Sequence, residues 1–343
     1  MATIKDISRE LNLGVSTVSM ALNGNPRISK ATRELVLKKA KELKYVKNTA
    51  AVDLQKGKTN LILLVVNDPA RTFFAETINR IQREVARHGY DFLIATTFEG
   101  HDETAKRYIK ERRADAVIVY TSTISEAFIL ENASESFPIF ILGREICGEH
   151  VYSFQKPNDV QSEGVNYLIE KGHQHIAFVK GSPYSLGTQR KFKGYLAGLR
   201  DHGLPIDEQL IFDANGSDRM DGYRITEKII PHIRELDAVI YSNDEIAIGG
   251  MECLKKHQIN IPEDVSILGS NNTPLAEYVS PKLTSVGSNY SSDIFPMLID
   301  TLVALIEGKE VQKQIQALSE MPVNMQIAER ETVQDRLENK ADS

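Results

Sequence analysis

The sequence predicts two architectures in one chain: an all-α helix-turn-helix head over residues 1–47 and a two-lobed α/β body over residues 58–330. Three observations predict it. Two short apolar stripes at helical spacing open the chain. Beyond position 60, short apolar runs alternate with amphipathic helical stretches in two successive series, the pattern of parallel sheets built from βαβ units. The charge is split as well: residues 1–60 contain 12 Lys and Arg against 5 Asp and Glu, a net of +7, and the remainder carries −13 in a chain of net −6.

Thr3 followed by Asp6 has the spacing of a capping box. Ile4, Ile7 and Leu11 then share one helical face. Asn12-Leu13-Gly14 breaks the helix with residue types that tolerate a left-handed backbone. Val15, Val18 and Leu22 give a second stripe, and two stripes joined by so short a turn make a helix-turn-helix. Ser29 precedes a third helix with Val36, Ala40 and Leu43 inward and Lys30, Arg33, Lys38, Lys39, Lys41 and Lys44 outward. A charge run is usually a solvated face; placed on a helix-turn-helix and set against an acidic body, it points to nucleic acid.

Asn48–Gly57 (NTAAVDLQKG) has an N-cap at one end and a stop at the other. It is too short to hold a helix alone in water, so the residues read as a linker. In the body, Leu61–Val66, Phe92–Ala95, Ala116–Tyr120 and Ile139–Leu142 read as buried strands, with helices at Ala75–His88 and Glu103–Arg112. The series restarts with His175–Val179, Leu210–Phe212, Ala238–Tyr241 and Val265–Leu268. After position 330 the tail carries only Val333 and Leu337 as apolar residues. That cannot sustain a coiled coil, which favours a dimer over a tail-linked tetramer.

The segment VSTVSMALNGNPRISKATRELVLKKAKELKY, followed by a Leu before Gly57, resembles the lac repressor (LacI/GalR) family of bacterial regulators. TFFAETINRI at 72–81, GHQHIAFVKG at 172–181, QRKFKGY at 189–195, SNDEIAIGG at 242–250, IPEDVSILG at 261–269 and SPKLTSV at 280–286 extend the resemblance along the chain. It implies a periplasmic-binding-protein-like body whose chain crosses between lobes near 153–158 and 286–290, with Asp293–Glu307 as the last helix of the first lobe. It also implies a cytoplasmic transcriptional repressor that binds double-stranded operator DNA as a homodimer, because one helix-turn-helix reads too few base pairs alone.

By that resemblance, base contacts fall to Val15, Ser16 and Met20, and phosphate contacts to Thr17, Ser19, Asn23, Thr32, Tyr45 and Asn48. Met20 stands where most members carry Arg; a thioether cannot read guanine bidentately but can pack on a thymine methyl. In the family the 48–57 segment becomes a hinge helix on operator DNA, and Leu54 is then its minor-groove wedge. Lys47 replaces the family's usual Pro and Val52 its usual Arg.

The resemblance places a small-molecule effector, a sugar or sugar phosphate, between the lobes. Phe73 and Phe74 follow the first strand as a candidate apolar wall, Arg190 as a grip on an effector oxygen, and Asn243 and Asp244 follow the strand ending at Tyr241, with Asp244 expected to cap the next helix. Members that bind neutral sugars often carry Asp where this chain has Lys156, and Asp where it has Asn271 or Asn272. Carboxylates accept hydrogen bonds from sugar hydroxyls, so these replacements make the cleft less acidic and favour an anionic ligand.

Other classes find little support. There is no phosphate loop, dinucleotide fingerprint or HExxH, so neither an enzyme nor a cofactor is expected. His173 and His175 are not read as metal ligands; by the resemblance His173 is the family's structural Gly-His at a helix end, and Cys147 and Cys253 are read as buried thiols. No apolar segment suits a signal peptide or a membrane span. This absence and the basic head argue against a transport-binding protein on the same body.

Overall fold

Among the described residues, three helices, α1 (Ile4–Leu11), α2 (Val15–Leu22) and α3 (Lys30–Glu42), belong to the first of two units, Met1–Thr59; Asn60–Ser343 form the second. The computed structural model describes residues 2–46, 58–154, 162–289, 294–321 and 324–337. The capping box forms as expected: Thr3 Oγ1 accepts from the Asp6 amide, and the Asp6 carboxylate accepts from the Thr3 amide at 2.8 Å. The left-handed residue that ends α1 is Asn12, at φ 52°; Gly14 is extended and caps α2.

Ile7, Val18, Ala21, Val36 and Ala40 are the buried core of the head. This corrects the stripe read for α2, because Val15 is 42% exposed and Ala21 is 1% exposed. Small Ala21 fills the inward position that helical spacing from Val18 dictates, where chain hydrophobicity alone favoured Val15. Arg33 is not simply outward either. Its Nη2 donates to the carbonyls of Gly24 and Asn25 at 3.0 and 2.9 Å and so pins the loop before α3.

The body holds two sheets. The first runs β1 (Leu61–Val66), β2 (Asp91–Thr96), β3 (Ala116–Tyr120), β4 (Ile139–Leu142) and β5 (Val151–Phe154), in spatial order β2-β1-β3-β4-β5 and parallel throughout. The helices α4 (Thr72–Arg87), α5 (Glu103–Lys110) and α6 (Glu126–Asn132) connect them. The second lobe begins with α7 (Ser162–Glu170), β6 (Ile176–Lys180), α8 (Leu186–Asp201) and β7 (Ile211–Asp213). It continues through α9 (Arg219–Ile229), β8 (Ala238–Tyr241), α10 (Asp244–Lys256), β9 (Ser266–Ser270) and β10 (Ser285–Asn289). The chain then returns to the first lobe for α11 (Ile294–Ile306) and α12 (Gln312–Ser319), and ends in the second sheet with β11 (Asn324–Ala328). That sheet is ordered β11-β10-β9-β8-β6-β7, with only the β10–β11 pair antiparallel.

Helices cover both faces of each sheet, which is why β1 is an unbroken apolar run rather than an alternating one. On one face of the first sheet, Ile62, Leu64 and Val66 meet Ile81 and Val85 of α4 and Leu298, Ile299 and Leu302 of α11. The helix after the return crossing therefore belongs to the first lobe, as expected. The body also extends beyond position 330. Thr332 is fully buried, its carbonyl accepting from the Ile267 N–H and its Oγ1 donating to the Ile267 carbonyl, both at 2.7 Å, and Val333 is buried with it. Among the described residues the segment 331–337 is thus docked rather than free; its Thr and Gln polar groups satisfy the second sheet, a role that composition does not display.

Cys253 is buried as read, but Cys147 is exposed. Cys147 lies in the segment between β4 and β5, where its neighbour Ile146 takes the buried position. Among the described residues no helix is long and apolar enough to cross a membrane.

Candidate functional site

On the head, α2 presents Val15 and Ser16 to solvent, with Thr17, Ser19 and Met20 half-buried. Met20 stands outside the apolar cluster of the head. No acidic residue lies on α2, and its N-cap Gly14 supplies no side-chain acceptor, so the first-turn amides remain available to an anion. Asn23 closes α2. The Thr32 hydroxyl lies 2.8 Å from that of Ser29, which caps α3 by accepting from the Thr32 amide. Tyr45 lays its ring on the head core. Leu54 and Asn48, and the departures Lys47 and Val52, lie outside the described residues.

In the body, a cleft of about 180 Å³ opens at the carboxyl ends of both sheets. It sits where β1 diverges to β2 and β3, and where β6 diverges to β7 and β8. These are topological switch points, where loops leave in opposite directions and free a crevice. The lobes meet across it: the Thr72 amide donates to Glu245 Oε1 at 2.9 Å and Ser122 Oγ donates to the Tyr184 carbonyl at 2.8 Å.

Phe73 and Phe74, at the start of α4, both line the cleft. Each stands edge-on to Tyr120, at centroid distances of 6.0 and 5.2 Å, and Phe74 also packs against the core of the first lobe. Burial pushes the Tyr120 phenol up to about 12, with Arg190 pulling against it. Gly143, at φ 83°, lets both groups approach the backbone: a Cβ there would lie 2.9 Å from the Tyr120 ring and 3.4 Å from Arg190 Nη2.

Arg190 lines the cleft as expected, and beside it stands a cation the sequence reading missed. Lys191 is 8% exposed, and its Nζ donates to the Ser242 carbonyl and to Asn271 Oδ1, both at 2.7 Å. Burial pushes its pKa down to about 8, with Asp244 favouring the charge and Arg190 opposing it. The adjacency of Arg190 and Lys191 in QRKFKGY was visible, but which of its cations turns inward is set by the helix phase of α8 against the cleft.

Asn243 takes both of the roles expected to be divided between Asn243 and Asp244, and Asp244 does not cap the helix. Asn243 is the N-cap of α10, its side chain accepting from the Ile246 amide at 2.8 Å, while its Nδ2 donates to the Ser217 carbonyl. Asn243 still lines the cleft. Asp244 is fully buried and accepts from the Thr273 amide, Thr273 Oγ1 and Ser285 Oγ at 2.6, 2.9 and 2.6 Å. Burial raises its pKa, and these donors with Lys191 pull it back. An extended residue just before the helix is the one whose side chain reaches the N3 amide, which selects Asn243.

Asn271 and Asn272 part company. Asn271 faces the cleft and Lys191, whereas Asn272 Oδ1 accepts from Arg330 at 2.8 Å. Both have left-handed backbones, at φ 98° and 50°, a conformation that Asn tolerates better than most residues. Lys156 lies outside the described residues. His173 is structural as read: it is fully buried, with Nδ1 on the Leu168 carbonyl and Nε2 on Ser266 Oγ, each at 2.8 Å.

The family model of the bacterial regulatory proteins of the lacI family matches residues 3–48. That of the periplasmic binding proteins and sugar-binding domain of the LacI family matches residues 59–286. An HTH-type transcriptional regulator of Lachnoclostridium phytofermentans is 30% identical over 90% of this chain and 94% of its own length. The HTH-type transcriptional repressor PurR of Vibrio parahaemolyticus is 30% identical over 92% and 95%. Among solved structures, the lac repressor dimer bound to operator and the anti-inducer ONPF aligns with a TM-score of 0.74 at 19% identity, covering 97% of this chain and 99% of that one. The Escherichia coli repressor ascG aligns with a TM-score of 0.67 at 26% identity, covering 80% and 99%. With its helix-turn-helix head and two-lobed ligand-binding body, the chain belongs to the LacI family of bacterial transcriptional repressors.

Proposed function

We propose that this repressor binds a pseudo-palindromic operator as a homodimer and is controlled by an anionic sugar derivative, a sugar phosphate or a sugar acid, held in the interlobe cleft. The observation that carries the effector class is the pairing of Arg190 and Lys191 in a cleft whose described lining contains no Asp or Glu. Arg71 lines it too, but its guanidinium is engaged by Asp68 at 3.3 Å and by Glu245 at 3.9 Å. The remaining two cations suit carboxylate or phosphate oxygens, and charge-assisted bonds are roughly twice as strong as neutral ones. The edge-on Phe73, Phe74 and Tyr120 rings supply an apolar wall for the face of a sugar ring. A cavity of about 180 Å³ is smaller than the roughly 300–1,000 Å³ typical of drug-sized ligands, which selects a small effector over an oligosaccharide.

For the DNA half of the reading, the exposed Val15 and Ser16 and the outward Met20 are the base-reading positions. Thr17, Ser19, Asn23, Thr32 and Tyr45 position the head on phosphates, which fix register without reading sequence. Leu54 and Asn48 serve the hinge on DNA.

The test is titration of the full-length protein against DNA from upstream of its own gene, with and without matched neutral, phosphorylated and oxidised sugars. An anionic member should change operator affinity at concentrations where its neutral counterpart does not. A neutral sugar acting at lower concentration than its anionic counterpart would sink the effector class and leave the operator reading intact.

A further inference from the structure

Helices α9 and α10 touch backbone to backbone. A Cβ on Gly222 would lie 2.0 Å from the Ile246 carbonyl oxygen, and one on Gly249 would lie 1.8 Å from the Arg219 carbonyl oxygen. Only glycine permits that approach. It also sets what meets further along the pair. Glu227 of α9 faces Cys253 of α10 and His257 just beyond its end, and a carboxylate oxygen, the Sγ and a ring nitrogen all lie within 4.8 Å of one another. Cys253 and His257 are four residues apart, so they share one face of the helix.

We propose that Glu227, Cys253 and His257 form a zinc site that clips α9 to α10 on the outside of the second lobe. The donor set is the first argument. Thiolate sulfur, imidazole nitrogen and carboxylate oxygen are the three protein donors of zinc, and hard-cation sites rarely include sulfur. Spacing is the second. Bond lengths of about 2.0–2.3 Å place tetrahedral ligand atoms roughly 3.3–3.8 Å apart, which small rotations of the exposed Glu227 and His257 side chains can reach from the observed separation. Charge is the third. Thiolate and carboxylate together neutralise a dication, and the carbonyl end of α10 adds partial negative charge beside it. Lys256, the nearby cation, sits over the Tyr223 ring, 5.4 Å from its centroid.

Binding is an exchange: the Cys253 S–H bond breaks, the S–Zn bond forms, and the proton leaves to solvent. Three protein ligands leave the fourth position for water. The sequence carried no signal for the site, because its ligands are divided between two helices and only the Cys-to-His spacing is local.

The experiment uses the full-length protein, purified without a histidine tag, with Co²⁺ as a spectroscopic stand-in and Zn²⁺ as competitor. One equivalent of Co²⁺ per chain should give the near-ultraviolet charge-transfer absorption of a cobalt thiolate, and Zn²⁺ should abolish it. Cys253→Ser should remove the band and Cys147→Ser should keep it. Because Cys253 is buried, the surface variants Glu227→Gln and His257→Ala supply the decisive arm: each should weaken Co²⁺ about tenfold or more while the protein remains folded. Absence of the band in the parent protein, its loss in Cys147→Ser, or unchanged affinity in both surface variants would overturn the site.

Discussion

Lys191 and Asn271 meet at 2.7 Å on the floor of the cleft, an ammonium held by a neutral amide oxygen. The second acceptor of Lys191, the Ser242 carbonyl, is neutral as well. Asp244, the carboxylate that favours its charge, spends its oxygens on Thr273 and Ser285 instead. Among the described residues the ammonium is thus oriented by neutral acceptors without a carboxylate partner, and it keeps attraction for an incoming anion. Asn271→Asp should remove that property by placing a carboxylate against Nζ. Affinity for an anionic sugar is expected to fall at least about tenfold, given roughly 1.5–3 kcal/mol for a hydrogen bond to a charged group, with neutral sugars unaffected or improved. Isothermal titration of matched pairs decides it, and an unchanged preference would remove Asn271 from the account.

The same lysine predicts a pH dependence. Burial has brought its pKa down to about 8, so the ligand-free protein loses this proton as pH rises through about 8. A bound anion favours the charged form. Anion affinity should therefore be flat below about pH 7 and decline above about pH 8, and Lys191→Met should lower affinity and erase the decline. Stability runs the other way. The unfolded chain keeps this proton up to about 10.4, so between about pH 8 and 10 it binds more protons than the native state, and this group makes the free protein more stable as pH rises there. Titrations in buffers from pH 6 to 9 separate the two effects.

The fold was legible because buried parallel strands and amphipathic helices have distinct apolar periods. Leu61–Val66, Ala116–Tyr120, Ile139–Leu142 and Ala238–Tyr241 stand where their apolar runs put them. β5, β10 and β11 were not read, since Val151–Phe154 and Asn324–Ala328 are partly polar edge elements whose strand character comes from pairing. Arg190, Phe73, Phe74, Asn243 and Asn271 all reach the cleft. Lys191 and the Asp244 network were hidden, because sequence does not say which polar residues are buried together from four separate segments. Val15 misled for a related reason: an apolar residue at the first turn of a short helix satisfies the period without reaching the core.

The glycine contact between α9 and α10 gives a stability prediction. Gly222→Ala must push apart two backbones that already touch, with the new Cβ 2.0 Å from the Ile246 oxygen. Overpacking of this kind costs roughly 1–3 kcal/mol and occasionally more; about 3 kcal/mol or above is expected here because the obstacle is backbone. Gly187→Ala is the control: it is helical, and its Cβ would come no closer than 3.5 Å to Ser185 Oγ. Helix propensity then makes it neutral or stabilising by up to about 1 kcal/mol. Urea unfolding monitored by circular dichroism measures both, and equal losses would remove the close crossing as the cause.

The head offers a contrast between a packing residue and a proposed reading residue on one short helix. Val18 is fully buried among Ile7, Ala21 and Val36. Val18→Ala should destabilise the head by about 1–3 kcal/mol and weaken operator and random DNA together. Met20, four positions from the exposed Ser16 and outside that cluster, should tolerate Ala with under about 1 kcal/mol of lost stability. Its loss should instead flatten the preference at one base pair in each half-site, a change of about 1–3 kcal/mol per site. Met20→Arg should move that preference toward guanine, whose O6 and N7 a guanidinium reads bidentately. The salt slope of binding, set by phosphate contacts, should not shift with Met20→Ala. If Met20→Ala weakens all sequences equally and lowers the slope, Met20 contacts the backbone, and base reading falls to Val15 and Ser16.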